Sequence, residues 1–362
     1  MATEVTSRLP LIDALKAVAL QLIVLHHLAF YGPMSDHAYL LIPDPLSWLS
    51  QHARAVVQVF LVIGGFLAAR SLAPAGRLVS LQPLRLLVKR YLKLAVPYIA
   101  ALLVGIVCAA IARALMSHDS IPQPPTLPQF LAHALLLQGV LGYDGLSAGV
   151  WYVAIDFQLF ALLLATLWLA RGIGGGMGRG IAAAAVVGVL LVATLALSSL
   201  YHFNRDAAWD NWALYFFGSY GLGALACWAA NAKYAARWLS LIALAVTMAL
   251  LLDYRSRIAV ALVVALALGL ASRHGFLARW PKSSLLAYLG QISYSVFLIH
   301  FPVCLIINAL VTRVALADPW LNLAGIVLAW VVSLLAGGLF YSVVERPAQQ
   351  GFRGLRAARG LI

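Results

Sequence analysis

The sequence predicts an all-α polytopic membrane protein, with about ten transmembrane helices around a polar central cavity. Three observations carry that expectation. Hydrophobic residues make up 63% of the 362-residue chain and charged residues 10%, where a soluble domain carries about 25% charged residues. Apolar runs recur from one end of the chain to the other, each near the roughly 20 residues that a helix needs to cross a bilayer. Several runs nonetheless contain Asp, Lys or His, which are costly in lipid and are therefore expected to face protein or water.

The first run reads LPLIDALKAVALQLIVLHHLAFY, residues 9–31, and carries Asp13, Lys16, His26 and His27. Lys16 and His27 are eleven residues apart. At about 100° per residue that spacing returns to nearly one helix face, about three turns higher. Asp13 lies a turn below Lys16 on the same side. Further spans fall at 53–73, 86–112, 148–170, 180–200, 211–230, 236–252, 256–272, 284–312 and 319–344, which with 9–30 makes ten. The runs 236–252 and 256–272 are joined by the tight link DYRSR, either as a hairpin of two spans or as one broken region. The run 128–141 is too short to cross and reads as a surface or re-entrant helix. Residues 1–347 form a single transmembrane domain and 348–362 a short basic tail.

Orientation follows from the basic residues. With the N-terminus inside, eighteen Lys and Arg fall on the inner side and six on the outer, the last of the 25 being Lys16 within a span. The excess places both termini in the cytoplasm of a multi-pass protein of the cell (inner) membrane. The net charge of +13 is scattered in short groups, which fits topology and not a nucleic-acid stripe. Cys108, Cys227 and Cys304 sit in apolar runs without ligand-like spacing and read as packing residues; no metal site is expected. The N-terminal run contains charges and shows no signal-peptide cleavage pattern, so it is expected to be retained. Two long outer loops, 32–52 and 117–149, carry prolines and are expected to form a partly folded cap; IPQPPTLPQ cannot be helical through its prolines. GIGGGMG at 172–178 is an inner link; lacking a following Lys-Ser/Thr pair, it is a weak phosphate cradle.

The polar residues inside spans need explanations. His26-His27 is either a buried pair satisfied by neighbours or a neutral imidazole poised as a general base, a task suited to a side chain whose unperturbed pKa is near 6.5. QVFLVIGGFLAAR, 58–70, holds a glycine pair that admits close approach of a backbone or a substrate. RLLVKRYLKLAVPY, 85–98, concentrates four basic residues at the inner start of a span, for anchoring or for binding a phosphorylated ligand through Arg85, Arg90 and Lys93. GVWYVAIDFQLFALL, 149–163, places Asp156 and Gln158 in an apolar run, and a carboxylate there calls for a partner such as His27 or Lys16. His300 lies beside Pro302 in LGQISYSVFLIHFPV, where the helix is expected to kink. Glu345-Arg346 ends the last span as an anchoring ion pair.

Taken in order, Ile12-Asp13-Ala14-Leu15-Lys16 leading to His27, FLVIGGFL, the basic stretch before Pro97, Trp151 through Gln158, ISYSVFLIHFP and the terminal ERP resemble the membrane acyltransferase-3 family. The resemblance runs from Arg8 to Pro347. Lys16 stands where that family has Arg, Gly64-Gly65-Phe66 where it has Ser-Gly-Phe, Asp156 where it has Glu, and Arg90 and Lys93 where it has paired arginines. Lys for Arg loses the bidentate fork. The resemblance implies an integral-membrane O-acyltransferase. It would move an acyl group, commonly acetyl, from cytoplasmic acyl-CoA as co-substrate, with no permanently bound cofactor, to a hydroxyl of a sugar or cell-surface glycan outside. Catalysis would fall to His27 and Asp156, acyl-CoA binding to Lys16, Arg85, Arg90 and Lys93, and acceptor binding or site support to Asp13, Trp151, Gln158 and His300. His27 would deprotonate the acceptor or carry a transient acyl group, with His26 pointing about 100° away. Partners are then acyl-CoA, a carbohydrate acceptor and the lipid bilayer, with no nucleic acid. A transporter or flippase using intramembrane Asp, Lys and His as a relay is the competing expectation.

Overall fold

The computed structural model of the chain describes residues 9–176, 180–315 and 317–351. Arg8, Arg179, part of the 172–178 link and the basic tail beyond 351 lie outside the described residues. Thirteen α-helices and no strand occur among the described residues: α1 (Pro10–Phe30), α2 (Pro33–Ala38), α3 (Pro43–His52), α4 (Val57–Leu72), α5 (Pro83–Leu115), α6 (Leu127–Ala134), α7 (Val150–Gly176), α8 (Gly180–Tyr201), α9 (Ala213–Asn231), α10 (Ala235–Leu252), α11 (Ser256–Arg273), α12 (Ser284–Ala315) and α13 (Pro319–Phe340). Ten segments among them are long and apolar enough to cross a membrane, including α10 and α11 as two separate spans. The protein is an all-α polytopic membrane protein.

Prolines mark where helices begin. Those of the first outer loop open α2 and α3 at the N1/N2 positions, where a missing N–H costs nothing and a fixed φ suits the first turn. The loop is thus largely helical. IPQPPTLPQ stays extended until Thr126, which caps α6 in a reciprocal capping box with Gln129. At eight residues α6 is too short to cross. Pro97 and Pro302 lie inside the continuous helices α5 and α12.

The chain packs as two compact units. The first takes Met1–Ala19, Ala55–Val88 and Ile155–Gly290. Within it α9 is flanked by α4, α8, α10 and α11. It is the most enclosed of the ten spans, 83% buried, with a mean hydropathy of 1.3. A helix surrounded by helices needs small residues more than lipophilic ones. In α9 these are Gly218, Ser219, Gly221, Gly223, Ala224 and Ala226. Links in this unit are pinned by side chains. Trp228 Nε1 donates to Ala73 O at 2.7 Å, Arg171 to Ser80 O at 3.1 Å, and Arg255 to Asn204 Oδ1 at 2.8 Å and Leu200 O at 2.9 Å.

The second unit takes Leu20–Arg54, Lys89–Ala154 and Gln291–Ile362. One of its cores joins α5 and α12 through Ala109, Ala112, Phe301, Leu305 and Ala309, with Met116 and Ile121 closing the outer loop over them. α2 packs on α13, and Asn308 of α12 accepts from Met34 N at 3.1 Å at the start of α2. At the end of α13 a π-helical turn, Tyr341–Glu345, turns Glu345 inward. Glu345 accepts from Ser295 Oγ at 2.5 Å and from Gln349 Nε2 at 2.9 Å. Adjacent helical residues point about 100° apart, so Glu345 can be buried while Arg346 stays exposed.

Candidate active site

In the second unit α1 and α12 place His27 and His300 side by side. His27 Nδ1 lies 2.6 Å from His300 Nε2. The rings are nearly parallel, 6° apart, with centroids 4.9 Å apart. That separation is the nitrogen–nitrogen distance plus one ring radius at each end, so the rings lie end to end, not face to face. His300 Nδ1 in turn donates to the backbone carbonyls of Phe297, at 2.8 Å, and Val296, at 3.2 Å. His27 and His300 are 6% and 1% exposed. Tyr31 packs beside the pair, its ring 5.4 Å from that of His27 and 5.2 Å from that of Phe301, the residue after His300.

His26 has a different task. Its Nδ1 donates to Leu49 O at 2.9 Å and ties α1 to α3. Just beyond α3, the Arg54 guanidinium lies over the Trp151 ring, 5.6 Å from its centroid, a cation–π arrangement. Its charge is felt at both His26 and His27. Among the described residues no carboxylate lies within ion-pair distance of Arg54. Trp151 opens α7 after Gly149, whose φ of +78° and close approach to the Phe297 ring leave no room for a side chain. Tyr152 meets the same Phe297 ring edge-on at 5.5 Å. Phe297, whose carbonyl receives His300, is thereby held from two sides. Beside it is a cavity of about 10 Å³, room for one water, lined in part by Tyr98, Ser147 and Phe297.

The other sequence-derived residues distribute as follows. Asp156, in the first unit, is buried, and its Oδ1 lies 3.3 Å from where a Cβ on Gly64 would stand. The Tyr220 ring covers the other side of that glycine. Nearly two turns before Gly64, Gln58 accepts from Ser219 at 2.5 Å. Asp13, Lys16, Asp156 and Gln158 are all engaged with neighbours, as are Arg90 and Lys93. Arg85 is exposed and bonds Gln82 Oε1 at 3.2 Å. Along α5, Arg85, Lys89 and Lys93 recur every four residues and so share one face, with Arg90 beside Lys93. The sequence offered Asp156 to orient His27; the structure gives His27 Nδ1 to His300. Arg54 was missed, being counted only as one outer basic residue among six. Its contact with Trp151 joins segments about a hundred residues apart, and no local pattern announces it.

Chemically, the His pair offers two neutral imidazoles in series, sheltered from bulk water, with a guanidinium and an indole nearby. That is an arrangement suited to moving a proton; among the described residues no three His, Cys, Asp or Glu side chains converge in a ligand-like group. A family model described as "Acyltransferase domain" matches residues 9–341. No curated protein and no solved structure matches.

Proposed function

Because the chain belongs to the acyltransferase-3 family, whose domain takes in residues 9–341, we propose that this membrane acyltransferase draws its acyl group, acetyl foremost, from cytoplasmic acyl-CoA. The acceptor is a hydroxyl of a sugar or cell-surface glycan at the outer face of the cell membrane. Arg85, Arg90 and Lys93 hold the nucleotide phosphates, for which closely spaced cations on one helix are suited. Lys16 follows the pantetheine arm along α1, whose eleven residues up to His27 span about 16 Å. Asp156 balances Lys16, with Asp13 and Gln158 supporting it. Trp151 gives the sugar a flat apolar face.

The observation that supports this most is the His27–His300 contact. His27 takes the proton of the acceptor hydroxyl as its oxygen attacks the thioester carbonyl. The C–O bond forms, the C–S bond breaks, and the departing thiolate receives that proton from His27, so the enzyme ends as it began. Both termini lie in the cytoplasm in this scheme.

The test is CoA release from acetyl-CoA by the purified protein in lipid discs, with outer-face glycan supplied as acceptor. Wild type and His26→Ala should turn over, whereas His27→Ala should lose about 10²-fold or more while remaining folded in the membrane. Undiminished transfer by His27→Ala would overturn the assignment.

A further inference from the structure

We infer that His300 is the positioning residue of the site: it fixes the proton of His27 on Nδ1 and leaves Nε2 as the reacting nitrogen. The inference rests on the proposed acyl transfer for its purpose, but its geometry stands by itself.

The direction of each bond follows from what its partner can do. The carbonyls of Phe297 and Val296 only accept, so His300 Nδ1, at 2.8 and 3.2 Å from them, carries a hydrogen. In a neutral imidazole the other nitrogen is then bare. His300 Nε2 is therefore an acceptor, and the 2.6 Å contact requires a hydrogen on His27 Nδ1. That leaves His27 Nε2 bare. It makes no hydrogen bond among the described residues, and it is not one of the fully buried unpaired atoms. A chain of two imidazoles thus runs from a backbone carbonyl to one free lone pair. The end-to-end ring geometry aims the His27 N–H along the lone pair of His300, where a face-to-face stack would not.

The anchor is unlike the carboxylate that often stands behind a catalytic imidazole, and two consequences follow. A backbone carbonyl cannot be protonated or swapped for another rotamer, so the tautomer is set by the helix itself. The carbonyl of Phe297 is also held by its surroundings, because Gly149 and Tyr152 close on its ring. Reversing the chain would need a hydrogen on His300 Nε2, possible only for a charged His300 buried against His27 and near His26. When His27 Nε2 accepts the acceptor's proton, the new charge spreads toward His300 through a bond already aligned, with no side chain moving.

The decisive measurement is solid-state NMR of the protein in lipid with 15N-labelled histidine, the His27 and His300 signals being assigned by single replacement. Wild type should show a protonated-type Nδ1 and a bare-type Nε2 on His27. Two variants carry the functional arm. His300→Gln keeps an acceptor near the Nε2 position; His300→Phe keeps a ring and removes the acceptor. His300→Phe should cut kcat about 10- to 100-fold with little change in KM for acetyl-CoA, and His300→Gln should recover most of that loss. A bare Nδ1 on His27 in wild type would overturn the inference, as would equal losses in the two variants or full activity in His300→Phe. If His300→Phe does not fold, the wild-type spectrum decides alone. A wild type that releases no CoA would sink the acyl-transfer proposal and leave the tautomer readout intact.

Discussion

Replacing Gly65 with alanine tests the tightest joint in the first unit. There α4 and α9 meet backbone to backbone. A Cβ on Gly65 would overlap Tyr220 O and lie 2.7 Å from its carbonyl carbon, while a Cβ on Gly223 would overlap Val62 O and lie 2.8 Å from Phe66 N. Ordinary carbon–carbon contact is about 3.5–4.0 Å, so one added methyl must push the helices apart by about 1 Å over their whole contact. The obstacle is backbone on both sides, and no side chain can rotate away. Overpacking of that kind costs about 1–3 kcal/mol where side chains yield, and more where they do not; about 3 kcal/mol is the expected loss. By the size scaling of soluble domains that corresponds to roughly 5 °C in the unfolding midpoint. The assay is thermal unfolding in detergent, with Gly172→Ala as a reference because nothing lies near its Cβ. A Gly65→Ala protein that melts with wild type would refute backbone-to-backbone packing at this joint.

His133 links pH to the outer loop. Its Nδ1 donates to Gln129 O at 2.8 Å, and its Nε2 accepts from Leu146 N at 3.2 Å, which requires a neutral ring. Burial holds its pKa below the usual 6.5, so the unfolded chain binds more protons and stability rises with pH. The contribution is complete above about pH 6.5 and is lost as pH falls through the lowered value; protection of the Leu146 amide, taken relative to its intrinsic exchange rate at each pH, should fall on acidification, and His133→Phe should flatten that dependence. Arg255→Met should destabilise by about 2–4 kcal/mol, because it leaves Asn204 Oδ1 and Leu200 O buried without this donor and frees Asp253 from an ion pair. Limited proteolysis should then cut the link at 253–256, and an uncut link at unchanged melting temperature would contradict it.

The ten spans were legible because each is a long apolar run with polar ends, and length against bilayer thickness decides that by itself. The prolines of 32–52 were read only as part of a partly folded cap and not as helix starts, since proline sits outside a helix and in its first turn alike. His27 and His300 were both singled out as costly residues in apolar runs. Their pairing was not, because 273 residues separate them and only the packing of α1 on α12 joins them. Gly64-Gly65 was recognised as a place of close approach; which of the two meets backbone and which meets the Tyr220 ring depends on the rotation of α4. Glu345 was read as half of an anchoring ion pair; its burial and its bonds to Ser295 and Gln349 were not legible, since a π-helical turn leaves no simple trace in sequence.

The glycine-lined joint also bears on how the protein is made. Gly65 leaves the ribosome well ahead of Gly223, 158 positions further along the chain. At about 5–20 residues per second the delay is roughly 10–30 s. Throughout it the notch on the newborn α4 lacks its mate and must be sheltered by lipid, by other segments already inserted or by the insertion machinery. Pausing translation inside this window should trap a nascent chain with an open, crosslinkable notch, and extending it past α9 should close that notch.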